Sequence, residues 1–588
     1  MSGGAPERSG DGPGTRAAAA LRIALAVLIL ARALAPLKPG TAWWGLDHAR
    51  YLPALPGWGL LLLAALALSP RVTRPIEPAL RRLGDTIARG APGVALVAVA
   101  AAALAWALPD RLYFVGDFQG RLGAAENSIT ATSVFPQAMP VDLLLHYDLP
   151  RFIHTGFNLD ILTAERVLGA LEAAALGALA VGLARALGLE GAAALAVMAA
   201  TLFGGWLGLF TGYGKSLREL VVVVAAVATF GVMVARSGRA IVALGLAVAS
   251  GLTLHRSALG LLPAGAVAMT LGLRRHASLR RARFPIALGV GAPLLTLALM
   301  AGKIVAAMRA TDAPHLALGS GVGPWLAAAL APDHLREVAN VVLALAPLAV
   351  AGAAVAAFAL PRRDGSGVVL LALALPFAAL LLLVHPRQGM FRDWDVFSPA
   401  AAALAILAAL PLGRALSGGA SRGGLAFAAA LAALVPTVQW LWLEHDLPAG
   451  FARIRAYLAG PPVYSVPDRT LTWDYLGTRL KWLDSLDASA AAYAHAAALT
   501  PSPRLLFLWA QAEAVRKDYE QSRTILVRLT SEAADWGQAW GALAFVSQQL
   551  RDTTGARAAA ARALALDPDD ELARQVMRAL SPPAKAPR

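Results

Sequence analysis

Four short clusters of ionisable and aromatic residues interrupt an otherwise apolar chain, and each suggests a chemistry. The first opens Tyr113-Phe114-Val115-Gly116-Asp117-Phe118-Gln119-Gly120-Arg121 and runs past Glu126 to Asp142 and His146. A carboxylate beside a glycine at the end of an apolar run, as Asp117 is, can face a cavity where burial and neighbouring charge tune its pKa for base chemistry. It can equally cap a helix or pair with Arg121. Asp142 and His146 stand four residues apart and share a face if the stretch is helical. Such a pair suits proton transfer, or a divalent ion held with another acid; helix capping by Asp142 is the plainer alternative.

The second cluster reads Phe210-Thr211-Gly212-Tyr213-Gly214-Lys215-Ser216-Leu217-Arg218-Glu219. Lys215 and Arg218 are candidates for binding a phosphate or pyrophosphate, with snorkelling at a helix end as the alternative. The third is His255-Arg256-Ser257, in a brief break between apolar runs. The fourth is His385-Pro386-Arg387 followed by Phe391-Arg392-Asp393-Trp394-Asp395-Val396-Phe397. A tryptophan flanked by two carboxylates and an arginine fits a saccharide, with the ring against a sugar face and the acids accepting from hydroxyls. An interfacial tryptophan anchor with a local ion pair is the alternative. Glu172 lies inside an apolar run, where an acid is a functional candidate by default; pairing with Arg166 or lining a bundle interior would also account for it.

The elements that must carry these clusters are membrane spans. Of 588 residues, 57% are hydrophobic and 15% charged, against about 25% charged in a soluble domain. That excludes a soluble globular or disordered chain. With no cysteine, disulfides, thiol catalysis and Cys-ligated metal are excluded too. About thirteen apolar stretches approach the ~20 residues that a spanning helix needs. They cover roughly 17–36, 55–70, 90–108, 161–183, 191–211, 218–235, 240–254, 257–273, 284–305, 338–360, 367–385, 397–413 and 424–442. Those at 55–70 and 240–254 are short enough to be tilted or re-entrant, and the first reads as a retained helix. Arginines crowd alternate loops: 71–89, 236–239, 274–283, 362–363 and 414–422. By the positive-inside rule those loops and the N-terminus are cytoplasmic, and all four clusters lie on the opposite face. The net charge of +15 is then a topology signal, and nucleic acid is not an expected partner.

The expected fold is all-α: a disordered cytoplasmic N-terminus over 1–16, a transmembrane bundle over 17–442 and a helical tail over 445–582. The tail resembles tetratricopeptide repeats, whose period is 34 residues. One unit reads Trp473, Leu476, Gly477, Leu480, Ser489, Tyr493, Ala496, Pro501, and another Trp540, Leu543, Ala544, Ser547, Ala556, Ala560, Ala563, Pro568. Between them lies a weaker unit with Ala510, Tyr519 and Ser522. An α-solenoid of this kind implies a protein or peptide partner and no chemistry of its own.

The bundle resembles the GT-C superfamily of glycosyltransferases, polytopic enzymes of the outer membrane face. Within it, the chain is similar to bacterial members with C-terminal tetratricopeptide repeats that combine a Gly-Asp loop, a Phe-x-Gly-Tyr turn and an Arg-Asp-Trp-Asp loop. Here those are Gly116-Asp117, Phe210-Thr211-Gly212-Tyr213 and Arg392-Asp393-Trp394-Asp395. The resemblance implies an inner-membrane enzyme moving a sugar from a polyprenyl-phosphate donor to an extracytoplasmic acceptor. Asp117 would be the general base. Lys215, Arg218, His255 or Arg256 would stabilise the leaving phosphate, and Asp393, Trp394 and Asp395, with Tyr213 at the border, would orient sugar or acceptor. The acids allow Mg²⁺ or Mn²⁺, though no spacing demands either. Two departures stand out. Lys215 occupies a position where relatives usually carry glutamate, with Glu219 a substitute acid. Two extra helices precede the Gly-Asp loop, which makes Asp47 a rival base. The other expectation is a non-catalytic scaffold whose repeats recruit envelope-assembly proteins on a degenerate transferase core.

Overall fold

The structure is a computed structural model of the chain, and it describes residues 13–126, 130, 132, 135–313, 322–359, 365–417 and 422–581. Among them are helices and turns but no strand. Two compact units divide the chain, the first through Ala456 and the second from Tyr457. The first unit therefore extends past the expected boundary near 442. The reason is Arg453, whose guanidinium sits over the rings of Phe391 at 4.8 Å and Trp440 at 4.5 Å and so ties residues 445–456 to the bundle.

Eight helices of the described residues are long and apolar enough to cross a membrane: Gly14–Leu37, Ile161–Ala186, Leu217–Ser237, Arg256–Arg275, Arg283–Asp312, Gly365–Leu383, Trp394–Ala415 and Gly423–His445. The number reaches eleven if each of three bent pairs is one span. The bends explain why fewer straight spans occur than apolar stretches. Leu55–Ala67 and Pro70–Arg89 meet at 85° across Ser69-Pro70, and Pro332–Leu345 and Ala349–Ala359 meet at 89° around Pro347; a proline disfavours helical backbone in the residue before it. Gly191–Leu202 turns 61° into Gly205–Thr211 because Gly204 presses on another helix: a Cβ there would lie 2.2 Å from the Leu345 carbonyl oxygen. Ile241–Leu254, at 14 residues, is short as expected. The first helix starts at Pro13, so part of the stretch expected to be disordered is helical.

The loop after the first helix is stitched to residues far along the chain. The Gly45 amide donates to Asn340 Oδ1 (3.0 Å), Asn340 Nδ2 donates to the Ala42 carbonyl (2.9 Å), and Trp44 Nε1 donates to Glu337 Oε2 (2.9 Å). Buried backbone needs such partners, and here a distant helix supplies them.

The second unit is a run of seven helices: Val466–Trp482, Leu486–Leu499, Pro503–Val515, Tyr519–Glu532, Gly537–Gln549, Thr553–Leu566 and Glu571–Leu580. Each packs on the next, around a core that includes Tyr493, Leu506, Leu526, Leu529, Ala544, Ala560 and Val576. Its geometry recurs. Asp484, Lys517 and Arg551 take the left-handed conformation in three tight turns, every second one along the run. Ser489 Oγ donates to the Gly477 carbonyl (2.7 Å) as Ser522 Oγ does to Ala510 (2.8 Å).

Candidate functional site

The Gly205–Thr211 turn and the residues after it organise the site. Gly169, on the Ile161–Ala186 helix, makes room for the turn, since a Cβ there would lie 2.3 Å from the Phe210 carbonyl oxygen. Gly212 then takes a φ of +121° that side-chain-bearing residues rarely adopt, and the chain doubles back. Two side chains of this turn meet one carboxylate: Tyr213 OH and Lys215 Nζ both donate to Asp395 Oδ2 at 3.0 Å. Asp395 is fully buried in the short helix Trp394–Phe397, and its second oxygen, Oδ1, has no hydrogen-bond partner among the described residues. Half of that carboxylate is thus left as an acceptor.

Beside this pair stands another. Arg121 forks onto Asp142 through Nη1–Oδ1 and Nη2–Oδ2, both at 2.8 Å, the bidentate geometry that suits guanidinium and carboxylate. The Ser216 amide also donates to Asp142 Oδ1, at 3.3 Å. Burial pushes the Asp142 pKa up, but the Arg121 charge outweighs it and holds the carboxyl below its ordinary range. Asp142 does not cap its own helix, where Met139 has the capping position. His255 pairs Nδ1 with Ser257 Oγ at 2.7 Å. Its pKa lies well below the ordinary value, first through burial and then through the positive charges of Arg256 and Lys215; Asp142 and Arg121 act on it as well. Lys215, Asp142, Arg121 and His255 therefore share one electrostatic neighbourhood.

A second, deeper cluster underlies the turn. His146 lies between two carboxylates, with Nδ1 3.2 Å from Glu165 and Nε2 3.2 Å from Glu219. Burial disfavours its charge, but Glu219 and Glu165 outweigh burial and raise its pKa to about 10. Arg218, with a side chain sealed from solvent, contacts Glu165 (2.9 Å), Glu172 (2.6 Å) and Glu219 (3.0 Å). It also donates to the Tyr213 carbonyl at 3.0 Å. Arg218 is thus no surface phosphate ligand but a buried tether that fixes the turn bearing Tyr213 and Lys215. Glu172 meets Arg218 and not Arg166, because residues six apart on a helix point to different sides. Arg166 instead stacks over Trp106, 4.4 Å from the ring centre.

The fourth cluster is also internal. Trp394 is buried and meets Trp440 edge to face at 5.3 Å, while a Cβ on Gly208 would lie 3.1 Å from its ring. It is a wall of the interior and not an interfacial anchor. Arg392 Nε donates to the Phe114 carbonyl (3.3 Å), which links this segment to the one before Asp117. Asp393 is buried at its side. Asp47 is buried as well; burial outweighs Arg453 and Arg50 and raises its pKa to about 6.

The structure thus brings together Tyr213, Lys215 and Asp395, and next to them Asp142 and His255; His146 belongs to the deeper cluster. Arg256 turns away to Asp312, with both contacts at 2.5 Å. Asp117 is the second residue of the helix Gly116–Glu126, but its side chain lies outside the described residues. Sequence reasoning passed over Arg121 as a site residue, along with Glu165 and Arg453. Glu165 and Glu172 are seven apart, two helical turns on one face, and that spacing was the available signal. Among the described residues no group of three or more His, Asp or Glu is placed to hold a metal ion. No protein-family model matches the chain, and no curated protein matches it.

Proposed function

We propose that the chain is a GT-C-type glycosyltransferase of the bacterial inner membrane, which moves a sugar from a polyprenyl-phosphate donor to an extracytoplasmic glycan, lipid or protein. One observation carries the reading. Ionisable groups from four distant segments meet, with Arg121 on Asp142, Tyr213 and Lys215 on Asp395, and His255 within the field of Lys215, Asp142 and Arg121. A structural ion pair needs two segments, whereas a reaction centre must gather acids, cations and a neutral imidazole together.

In the step proposed, Asp117 takes the proton of the acceptor hydroxyl, the acceptor oxygen attacks the anomeric carbon, and the carbon–phosphate-oxygen bond breaks with inversion. The departing polyprenyl phosphate gains negative charge, which Lys215 stabilises by exchanging its contact with Asp395 for the phosphate. His255 stays neutral and can donate to a phosphate oxygen. Asp393 and Asp395 accept from sugar hydroxyls along the Trp394 wall, and Arg392 holds that segment in place. Asp47, raised towards neutrality, is the rival base. The repeating turns and serine contacts of the second unit support a tetratricopeptide-repeat reading, with an acceptor or partner protein as its ligand.

The test is transfer of labelled sugar from a polyprenyl-phosphate donor in membranes. Asp117→Asn abolishes it if Asp117 is the base, whereas loss in Asp47→Asn alone moves the base to Asp47. Because the chain has no cysteine, single cysteines introduced in loops and labelled from either side test the topology; labelling of the 212–217 turn from the cytosol would defeat the reading. The scaffold alternative draws on the same pairs. Lys215 with Asp395, and Arg121 with Asp142, neutralise each other as in a retired site. Transfer by the wild-type chain rules that alternative out.

A further inference from the structure

The strongest feature outside this site is the surface helix that follows the first bend. Pro70–Arg89 leaves the apolar helix Leu55–Ala67 at 85°. A helix set at right angles to an apolar helix that enters the bilayer runs along the membrane surface, and the composition of this one agrees. Ile76 and Leu83 expose apolar side chains, at 40% and 43%, while Arg74, Arg81 and Arg82 surround a cleft of about 470 Å³ that Glu77, Pro78 and Asp85 complete. The helix is rigidly seated, since a Cβ on Gly84 would lie 2.4 Å from the Gly191 carbonyl oxygen.

The charges of the cleft do not balance. Glu77 accepts from Arg81 Nη2 at 2.9 Å and from the Gly423 amide at 3.0 Å. Asp85 lies 3.7 Å from Arg89. Arg74 and Arg82 have no carboxylate at ion-pair distance among the described residues; Arg82 Nε donates only to the Pro78 carbonyl, at 3.4 Å. Two guanidiniums two helical turns apart, on one side of an in-plane helix and flanked by exposed apolar side chains, match a ligand with a phosphate and acyl chains. The geometry points to a headgroup site, in which the phosphate of an anionic phospholipid sits between Arg74 and Arg82 and its chains lie along Ile76 and Leu83. The inference is independent of the transferase reading and holds whichever leaflet the helix faces.

The test uses the full-length chain in detergent, offered dioleoyl phosphatidylglycerol or phosphatidylcholine at equal concentration, with bound lipid counted by native mass spectrometry. An arginine at an anionic surface is worth about fivefold in affinity. Wild type retains phosphatidylglycerol in preference to phosphatidylcholine. Arg82→Gln weakens that retention about fivefold and Arg74→Gln/Arg82→Gln about 25-fold, while Arg280→Gln/Arg281→Gln, on another basic loop, leaves it unchanged. The single variant changes one exposed side chain and keeps the test decisive if the double variant folds poorly. Equal retention of both lipids, unchanged retention in Arg82→Gln, or displacement of the lipid by inorganic phosphate at the same concentration would each overturn the proposal; the last would make the cleft a site for soluble anions.

Discussion

The deep cluster around Arg218 and the shallow pairs around Lys215 use the same residue types to different ends. Arg218 touches three carboxylates and a backbone carbonyl and is sealed from solvent. Lys215 retains some exposure, and the Asp395 carboxylate it meets through Oδ2 keeps its other oxygen without a hydrogen-bond partner among the described residues. A charge held from every side is costly to free and stays put. A charge that keeps some exposure can exchange partners when a ligand arrives. The deep cluster therefore positions the turn, and the shallow pairs are what that turn presents.

The hardest way to break this contrast is Arg218→Ala. It takes the arginine from three buried carboxylates, of which Glu165 and Glu219 keep His146, and loss of one partner from a buried ionic cluster costs about 3–5 kcal/mol. The variant should lose most of its monodisperse fraction on fluorescence-detected size exclusion after heating. Next comes Lys215→Met, where Tyr213 still holds Asp395. Removing a donor to developing negative charge lowers rate about 100-fold or more, so labelled-sugar transfer should collapse while the unfolding midpoint moves far less than in Arg218→Ala. Equal unfolding of the two variants would erase the distinction.

The pH dependence of stability sharpens it. The folded pKa of His146, about 10, lies above its ordinary value of 6.5, so the folded chain keeps a proton that the unfolded chain releases between those values. The contribution is full below about 6.5, shrinks as pH rises, and is gone above about 10. Thermal unfolding across that range should show the decline, and His146→Gln should flatten it. The smallest effect is expected from Tyr213→Phe, which removes one hydrogen bond to Asp395 and should cost about 1 kcal/mol. Combined with Lys215→Met it should cost more than the sum, because Asp395 then loses both donors.

How much of this was legible in the sequence depended on distance along the chain. Apolar runs and their arginine-marked ends revealed the membrane helices, because span length and charge are local properties. The bends at Pro70, Gly204 and Pro347 turned several expected spans into angled pairs, and only proline or glycine hinted at them. The clusters at 210–219 and 392–395 stood out by composition, but that Tyr213 and Lys215 share one oxygen of Asp395 depends on contacts some 180 residues apart. Arg218 illustrates the limit. Beside Lys215 in sequence it looked like a second surface cation, yet one helical register turns it inward to Glu165 and Glu172. In the second unit, the segment around Ser522 departs from the repeat pattern in residue type but makes the same serine-to-carbonyl bond as Ser489, since packing tolerates side chains that a pattern does not.

The stitching of residues 42–45 to Glu337 and Asn340 has a consequence for biosynthesis. A chain made from its N-terminus emerges with Gly45 and Trp44 lacking the acceptors they will eventually use, and nearly 300 residues must follow before those arrive. Water, lipid headgroups or an insertion factor must serve the young loop until then. A ribosome stalled before residue 337 should therefore display a first hairpin that proteases cut and the finished protein shields.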